Sequence, residues 1–280
     1  MKNKFTALVV LSISFGAFAK CDIPRGEKLT VGCTYKCDFT YKFRLRMAAL
    51  ALGYPLKIVD MRNIASVEES MNSVDAILVP GGADINPEYY YDSITSELRN
   101  YTQQNIGLAK LTNESHSRDP FEYEVVKRYS SEEDFKDLPL LGICRGMQMM
   151  SVAQGIPLYL DIKTELGIPN RIRKFDRVTI TDSDSLMSSI YKRKQFKGLE
   201  LHHQGIRVDY YKEHAAQYPL TKVTSYSNKD LVAESLEYTH RHALGVQYHP
   251  EKSFTSVAYP VFNWFLKKGC EYKNTKKVSL

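Results

Sequence analysis

The chain has 280 residues, 43% of them hydrophobic and 25% charged, with a formal net charge of +6. This is an ordinary globular composition that can bury a full core, and it contains no linker-like or low-complexity tract. The positive charges are scattered, apart from small clusters at Arg171, Arg173 and Lys174 and at Lys192, Arg193 and Lys194. No basic stripe interleaved with aromatics supports nucleic-acid binding.

The chain opens with Lys2 and Lys4 and an uncharged, largely apolar run from Phe5 to Ala19, closing on Ala17-Phe18-Ala19. Fifteen residues fall short of the ~20 that a membrane-spanning helix needs. A basic start, an apolar run and an Ala-x-Ala site predict a signal peptide over residues 1–19. Cleavage after Ala19 leaves a mature chain from Lys20 with no membrane span, exported to a periplasmic or extracellular space. Losing Lys2 and Lys4 lowers the net charge from +6 to +4. Lys20 is a poor neighbour for a lipidated Cys21.

Beyond this segment, strand-like runs alternate with helical ones. Residues 29–31 predict a strand stopped by Gly32, 43–52 a helix ended by Gly53, and 56–59 a second strand. A short helix at 65–71 precedes a third strand at 76–79, stopped by Pro80-Gly81-Gly82. A polar region, 83–117, carries no assigned element, and 122–129 reads as a helix. Residues 138–143 form a strand and 147–154 a helix. The last third changes character, with strands at 177–180, 222–224, 231–233 and 244–246 before a helix over 256–268. This rhythm predicts an α/β fold, a mostly parallel central sheet with helices on both faces and a mixed edge. The mature chain, 20–280, reads as a single domain.

The join at 138–154 carries chemistry. Gly142-Ile143-Cys144-Arg145-Gly146 has the form of a nucleophile elbow with cysteine as the nucleophile. A strained strand-to-helix turn leaves no room for β-carbons two residues either side of it. The following helix N-terminus favours a thiolate. Farther on, Gly245-Val246-Gln247-Tyr248-His249-Pro250-Glu251 ends a strand in His-x-Glu. A cysteine nucleophile needs a histidine base, and the histidine needs a carboxylate to orient it. Period-two alternation on a strand would point His249 and Glu251 the same way. The candidate catalytic set is Cys144, His249 and Glu251. Gly82, Cys144 and His249 all lie just past strand ends, where sites of such sheets form.

If Cys144 is the nucleophile, Cys21, Cys33, Cys37 and Cys270 remain, and three disulfide pairings stay open. A Cys21–Cys270 bridge would tie the ends of the mature chain to the body. Cys33 and Cys37 have no companion pair of Cys or His at metal-site spacing, so no metal is expected.

Gly-Ile-Cys-Arg-Gly-Met-Gln and Gly-Val-Gln-Tyr-His-Pro-Glu resemble the two signature segments of the class I glutamine amidotransferase-like superfamily, whose fold is flavodoxin-like. Three further segments are similar to its stand-alone γ-glutamyl hydrolase branch, which includes γ-glutamyl-γ-aminobutyrate hydrolase. They are Val79-Pro80-Gly81-Gly82, Arg118-Asp119-Pro120-Phe121-Glu122 and Leu201-His202-His203-Gln204. The resemblance covers roughly residues 29 to 267. It implies hydrolysis of a γ-glutamyl amide or peptide through a γ-glutamyl thioester, with no cofactor. It also implies an oxyanion hole from the backbone N–H of Arg145 and of Gly81 or Gly82, Gly82 first. Gly81, Gln148, His202, His203 and Gln204 would line the substrate side.

Some positions depart from the branch. Tyr248 stands where a tryptophan is usual, and 83–117 has no residue-by-residue match, which leaves the amine leaving group open. The competing functions are a glutaminase-type subunit supplying ammonia to a partner and a non-enzymatic γ-glutamyl binder. Nothing in the sequence sets the oligomeric state.

Overall fold

The computed structural model describes residues 21–169 and 171–278. The expected signal peptide lies outside the described residues, as do the side chains of Arg171 and Arg173. The first half of the chain forms β1 (Leu29–Cys33), α1 (Phe39–Leu52), β2 (Leu56–Asp60), α2 (Val67–Asn72) and β3 (Ala76–Val79). It continues through α3 (Ser96–Gln104), α4 (Asn113–Ser131), β4 (Leu140–Ile143) and α5 (Arg145–Ala153). There follow β5 (Leu158–Tyr159), α6 (Ile162–Leu166), β6 (Arg171–Ile180), α7 (Leu186–Tyr191), β7 (Gln195–His202) and β8 (Gly205–Ile206). The last elements are α8 (Val208–Glu213), β9 (Thr221–Ser227), β10 (Val232–Tyr238), β11 (Ala243–Val246) and α9 (Thr255–Val278).

Nine strands make one sheet in the order β2-β1-β3-β4-β11-β10-β9-β6-β7. The first five run parallel. The last four form an antiparallel wing joined to β11. Alternation along the buried strands divides the core in two. Ile77, Val79 and Leu140 pack with Val125, Val126, Met147 and Met150 of α4 and α5. Ala76, Leu78, Leu141 and Ile143 pack on the other face with Leu45, Phe262 and Phe265 of α1 and α9.

Several helices start where a side chain satisfies their free N–H groups. Asp38 accepts from the N–H groups of Thr40 and Tyr41, so α1 begins four residues before its apolar pattern does. Gly53, at φ 73°, ends it. Thr112 and Ser115 form a capping box that starts α4 inside the stretch left unassigned above. That helix runs through Pro120, which costs about 3 kcal/mol in a helix interior. Strand β7 was not foreseen because its inward positions, Phe196, Gly198, Glu200 and His202, are half polar. α3 was also hidden in the polar stretch, capped by Thr95.

Two disulfides close the open pairing. Cys21 joins Cys270 on α9, and Cys33 joins Cys37 across the turn from β1 to α1. Cys144 is the one free cysteine, and it is buried.

Candidate active site

The carboxyl ends of β3, β4 and β11 converge on one point. Cys144 caps α5 at φ 54° and ψ −107°, a conformation that costs a non-glycine residue about 1–3 kcal/mol. Its neighbours explain why the strain persists. A β-carbon on Gly142 would lie 2.7 Å from the Gly146 backbone, and one on Gly146 would lie 2.0 Å from the carbonyl oxygen of Val79. The Cys144 N–H donates to Val246 O at 2.7 Å, tying the elbow to β11.

His249 follows β11. Its N–H donates to Leu199 O, and its own carbonyl accepts from Ser253 Oγ at 2.7 Å. Nδ1 meets Glu251 Oε1 at 2.6 Å. The pair does come together, but not on a strand as expected: Glu251 lies on a single 3-10 turn, Pro250–Lys252, headed by His249. Proline at the first position of that turn has no N–H to leave unpaired. Both side chains are buried. Burial alone would lower the His249 pKa, but Glu251 and Cys144 beside it overcome this and raise it to about 10. The imidazole therefore holds its second proton at neutral pH.

Gly81 lies against both Cys144 and His249. A β-carbon there would lie 3.0 Å from His249 Cε1, 3.1 Å from Tyr41 Oη and 3.5 Å from Cys144 Cβ. The Gly81 N–H donates to Tyr41 Oη at 2.9 Å. Arg118 donates to both carbonyls of the turn, to Pro80 O at 2.9 Å and Gly81 O at 3.0 Å. With Gly81 C=O fixed on Arg118, the trans peptide turns the Gly82 N–H the opposite way. Among the described residues no acceptor takes the N–H of Gly82 or of Arg145. Of the two glycines, Gly82 is thus the one with a donor free for an oxyanion.

The Arg118-Asp119-x-x-Glu122 segment anchors this turn from behind. Arg118 also pairs with Glu122 at 2.8 Å and Glu114 at 2.6 Å, while the Arg145 side chain pairs with Asp119 and Glu122. Thr34 at the end of β1 donates to Glu122 at 2.8 Å. Asp119 also accepts from the N–H of Asn86 at 3.0 Å. Arg118, Asp119, Glu122 and Arg145 are all buried, so removing one partner would strand a buried charge.

The substrate-side residues sit around the glutamine on α5. Gln148 Nε2 donates to Gln204 O at 3.1 Å and Gln247 Oε1 at 3.3 Å. The amide ends of Gln204 are buried without a partner among the described residues. His202 is turned inward, with Nδ1 2.6 Å from Gln204 O and Nε2 2.8 Å from Glu200. His203 bridges Asp84 at 2.9 Å and Asp161 at 3.1 Å. Burial lowers its pKa, but the two carboxylates raise it more, for a net upward shift opposed by Lys110. A cavity of about 200 Å³ beside it is lined by Lys110, Asp161, Lys163 and His203. A larger cavity, about 700 Å³, lies instead around Thr239–Arg241, which precede β11. It lies at the opposite end of the central strands from Cys144.

Sequence reading missed Tyr41, Asp84, Asp161 and Gln247. Tyr41 and Asp84 meet their partners 40 and 119 residues away, with no local spacing to mark them. Gln247 stands within the recognised His-Pro-Glu segment and was readable there.

The sequence profile of the peptidase C26 family matches residues 33–251. The putative glutamine amidotransferase-like protein YvdE of Lactococcus lactis subsp. lactis is 27% identical over 207 residues, 71% of this chain and 75% of YvdE. Among solved structures, the acivicin-bound glutaminase domain of Trypanosoma brucei CTPS has a TM-score of 0.60 at 15% identity, covering 87% of this chain and 94% of that one. A putative GMP synthase component from Thermoplasma acidophilum has a TM-score of 0.57 at 15% identity, covering 90% and 98%. At that identity the likeness shows the fold, which is that of the class I glutamine amidotransferases.

Proposed function

The chain belongs to the peptidase C26 family of the class I glutamine amidotransferase-like superfamily, a cysteine hydrolase or amidotransferase by type, and from that premise we propose that it hydrolyses γ-glutamyl amide bonds. The observation that carries this is the placement of Cys144, on a strained elbow, against the His249–Glu251 pair across Gly81.

In this reading Cys144 Sγ attacks the γ-carbonyl carbon with its proton held on His249. The carbonyl oxygen becomes an oxyanion received by the N–H groups of Gly82 and Arg145. Collapse breaks the C–N bond, His249 protonates the departing amine, and a γ-glutamyl thioester remains. Water, giving a proton to His249, then attacks the thioester and releases glutamate and the thiol. Glu251 keeps the imidazole in one tautomer and orientation throughout. The free amide of Gln204, steadied through its carbonyl by Gln148, receives the glutamyl end, and His203 walls the same side. No step calls for a cofactor.

Export belongs to the same proposal. Its support is the apolar run ending at Ala19 together with two disulfides, which persist in oxidising compartments.

The test is glutamate release by the mature protein from glutamine, γ-glutamyl-γ-aminobutyrate, γ-glutamyl dipeptides and a poly-γ-glutamate, with Cys144→Ala alongside. Turnover of a γ-glutamyl amide or peptide, lost in the variant, is the expected result and names the leaving amine. Turnover of glutamine alone would favour an ammonia-donating amidotransferase, the type that the name of YvdE carries. Silence across the panel with an unreactive Cys144 would remove the enzyme reading and leave a binder.

A further inference from the structure

Helix α1 has apolar residues on both faces. Tyr41, Leu45, Ala48 and Ala49 are buried against the sheet and α9. On the outer face, Phe39, Phe43, Met47 and Leu50 are 77%, 45%, 36% and 75% exposed. Spacings of four, four and three set them along one stripe of the helix. The Phe39 and Phe43 rings are 6.0 Å apart between centroids. A surface helix ordinarily turns charged residues outward on such a stripe, and a contiguous exposed apolar patch marks an interaction site.

The charges within the helix are of one sign. The helix contains no Asp or Glu, while Lys42 and Arg46 are exposed along its flank and Lys36 is exposed just before it. Asp38, at the cap, gives its carboxylate to the N–H groups of Thr40 and Tyr41. Arg44 is fixed inward on Glu251 O and Ser253 O.

We propose that α1 docks the protein on an anionic lipid bilayer. The helix lies in the plane of the interface, its apolar stripe among the acyl chains and Lys36, Lys42 and Arg46 at phosphate level. A span is excluded for this helix: 14 residues reach about 21 Å, less than the hydrocarbon core. Charge argues against a second copy as the occupant. A two-fold contact between α1 stripes would bring Lys42 and Arg46 of one copy near those of the other, with Asp38 at each cap already engaged by the N–H groups of Thr40 and Tyr41. The docking is independent of the reaction proposed above, because none of the stripe residues touches the site.

The test is co-sedimentation of the mature protein with phosphatidylcholine vesicles carrying phosphatidylglycerol and with pure phosphatidylcholine vesicles. Binding to the anionic vesicles is expected, weakened roughly ten-fold by high salt and by the variant Phe39→Ser/Phe43→Ser/Leu50→Ser. Unchanged circular dichroism and thiol reactivity of Cys144 would show that the variant is folded. Failure to sediment with anionic vesicles overturns the proposal, as does binding that the triple variant retains. A doubled mass by light scattering that returns to a monomer in the variant also overturns it and assigns the stripe to a second copy.

Discussion

The parallel half of the sheet and its antiparallel wing supply the site with different kinds of residue. From the parallel half come Cys144, His249 and the Gly81–Gly82 turn, each fixed by backbone at a strand end and by glycines that admit no β-carbon. From the wing and its loops come His202, held by Glu200 and the Gln204 carbonyl, and His203 and Gln204, whose partners Asp84, Asp161 and Gln148 lie far away in the chain. In the proposed mechanism one side holds the reacting atoms by backbone geometry, and the other shapes a pocket through polar contacts. Rigidity matters most where chemistry happens, while contacts that tune recognition tolerate exchange.

This contrast fails if damage to the two sides has the same consequence. The largest effect belongs to Gly146→Ala, whose new methyl would meet the Val79 carbonyl, a backbone atom with nowhere to move. Loss of soluble, cooperatively folded protein is expected, seen as a missing thermal transition. Glu251→Gln should leave the fold and lower kcat/KM by about 10²–10³-fold, because His249 loses its orienting carboxylate. The same change removes one cause of the raised His249 pKa. In the proposed mechanism His249 gives its proton to the amine, and its pKa is raised to about 10, so wild-type activity should fall as pH rises through that value; the variant's alkaline limb should move to lower pH. Tyr41→Phe removes the acceptor of the Gly81 N–H. A buried donor left unpaired costs about 1–3 kcal/mol, so kcat should drop roughly ten-fold with KM little changed. Steady-state kinetics of both variants would decide these points.

The smallest effect tests the wing. Asp84→Asn takes one carboxylate from His203 and should raise KM about three-fold while sparing kcat, since one exposed or half-buried ion pair contributes about 1 kcal/mol or less. His203 carries a raised pKa, so its contribution is complete below the ordinary histidine value and is lost as pH rises through the raised one. In the wild type KM should therefore climb on the alkaline side, and in Asp84→Asn that climb should begin at lower pH. An Asp84→Asn defect confined to kcat would erase the distinction between the two halves.

The same contrast decides what was legible in the sequence. The elbow, the Pro-Gly-Gly turn and the His-Pro-Glu segment are local patterns, because a strained turn constrains residues two positions away. The parallel strands were readable as short apolar runs, although β1 continues through Gly32 to Cys33 instead of stopping there. Strand β7 was not, since buried Glu200 and His202 break its apolar alternation. The start of α4 was hidden because a capping box, not an apolar face, begins it. Tyr41 lies on a helix correctly placed from residue 43 onward, yet its role depends on a turn 40 residues downstream. Contacts of that kind exist only once the chain has folded.

The bridges that occupy four of the five cysteines have a practical consequence. A native, oxidised preparation offers one thiol per chain, and that thiol is Cys144. Counting thiols with a small alkylating reagent therefore counts chains whose Cys144 is still reduced. Dividing turnover by that count, instead of by protein mass, gives a rate per molecule with an unoxidised Cys144. A count above one would report an opened bridge before any loss of fold became visible.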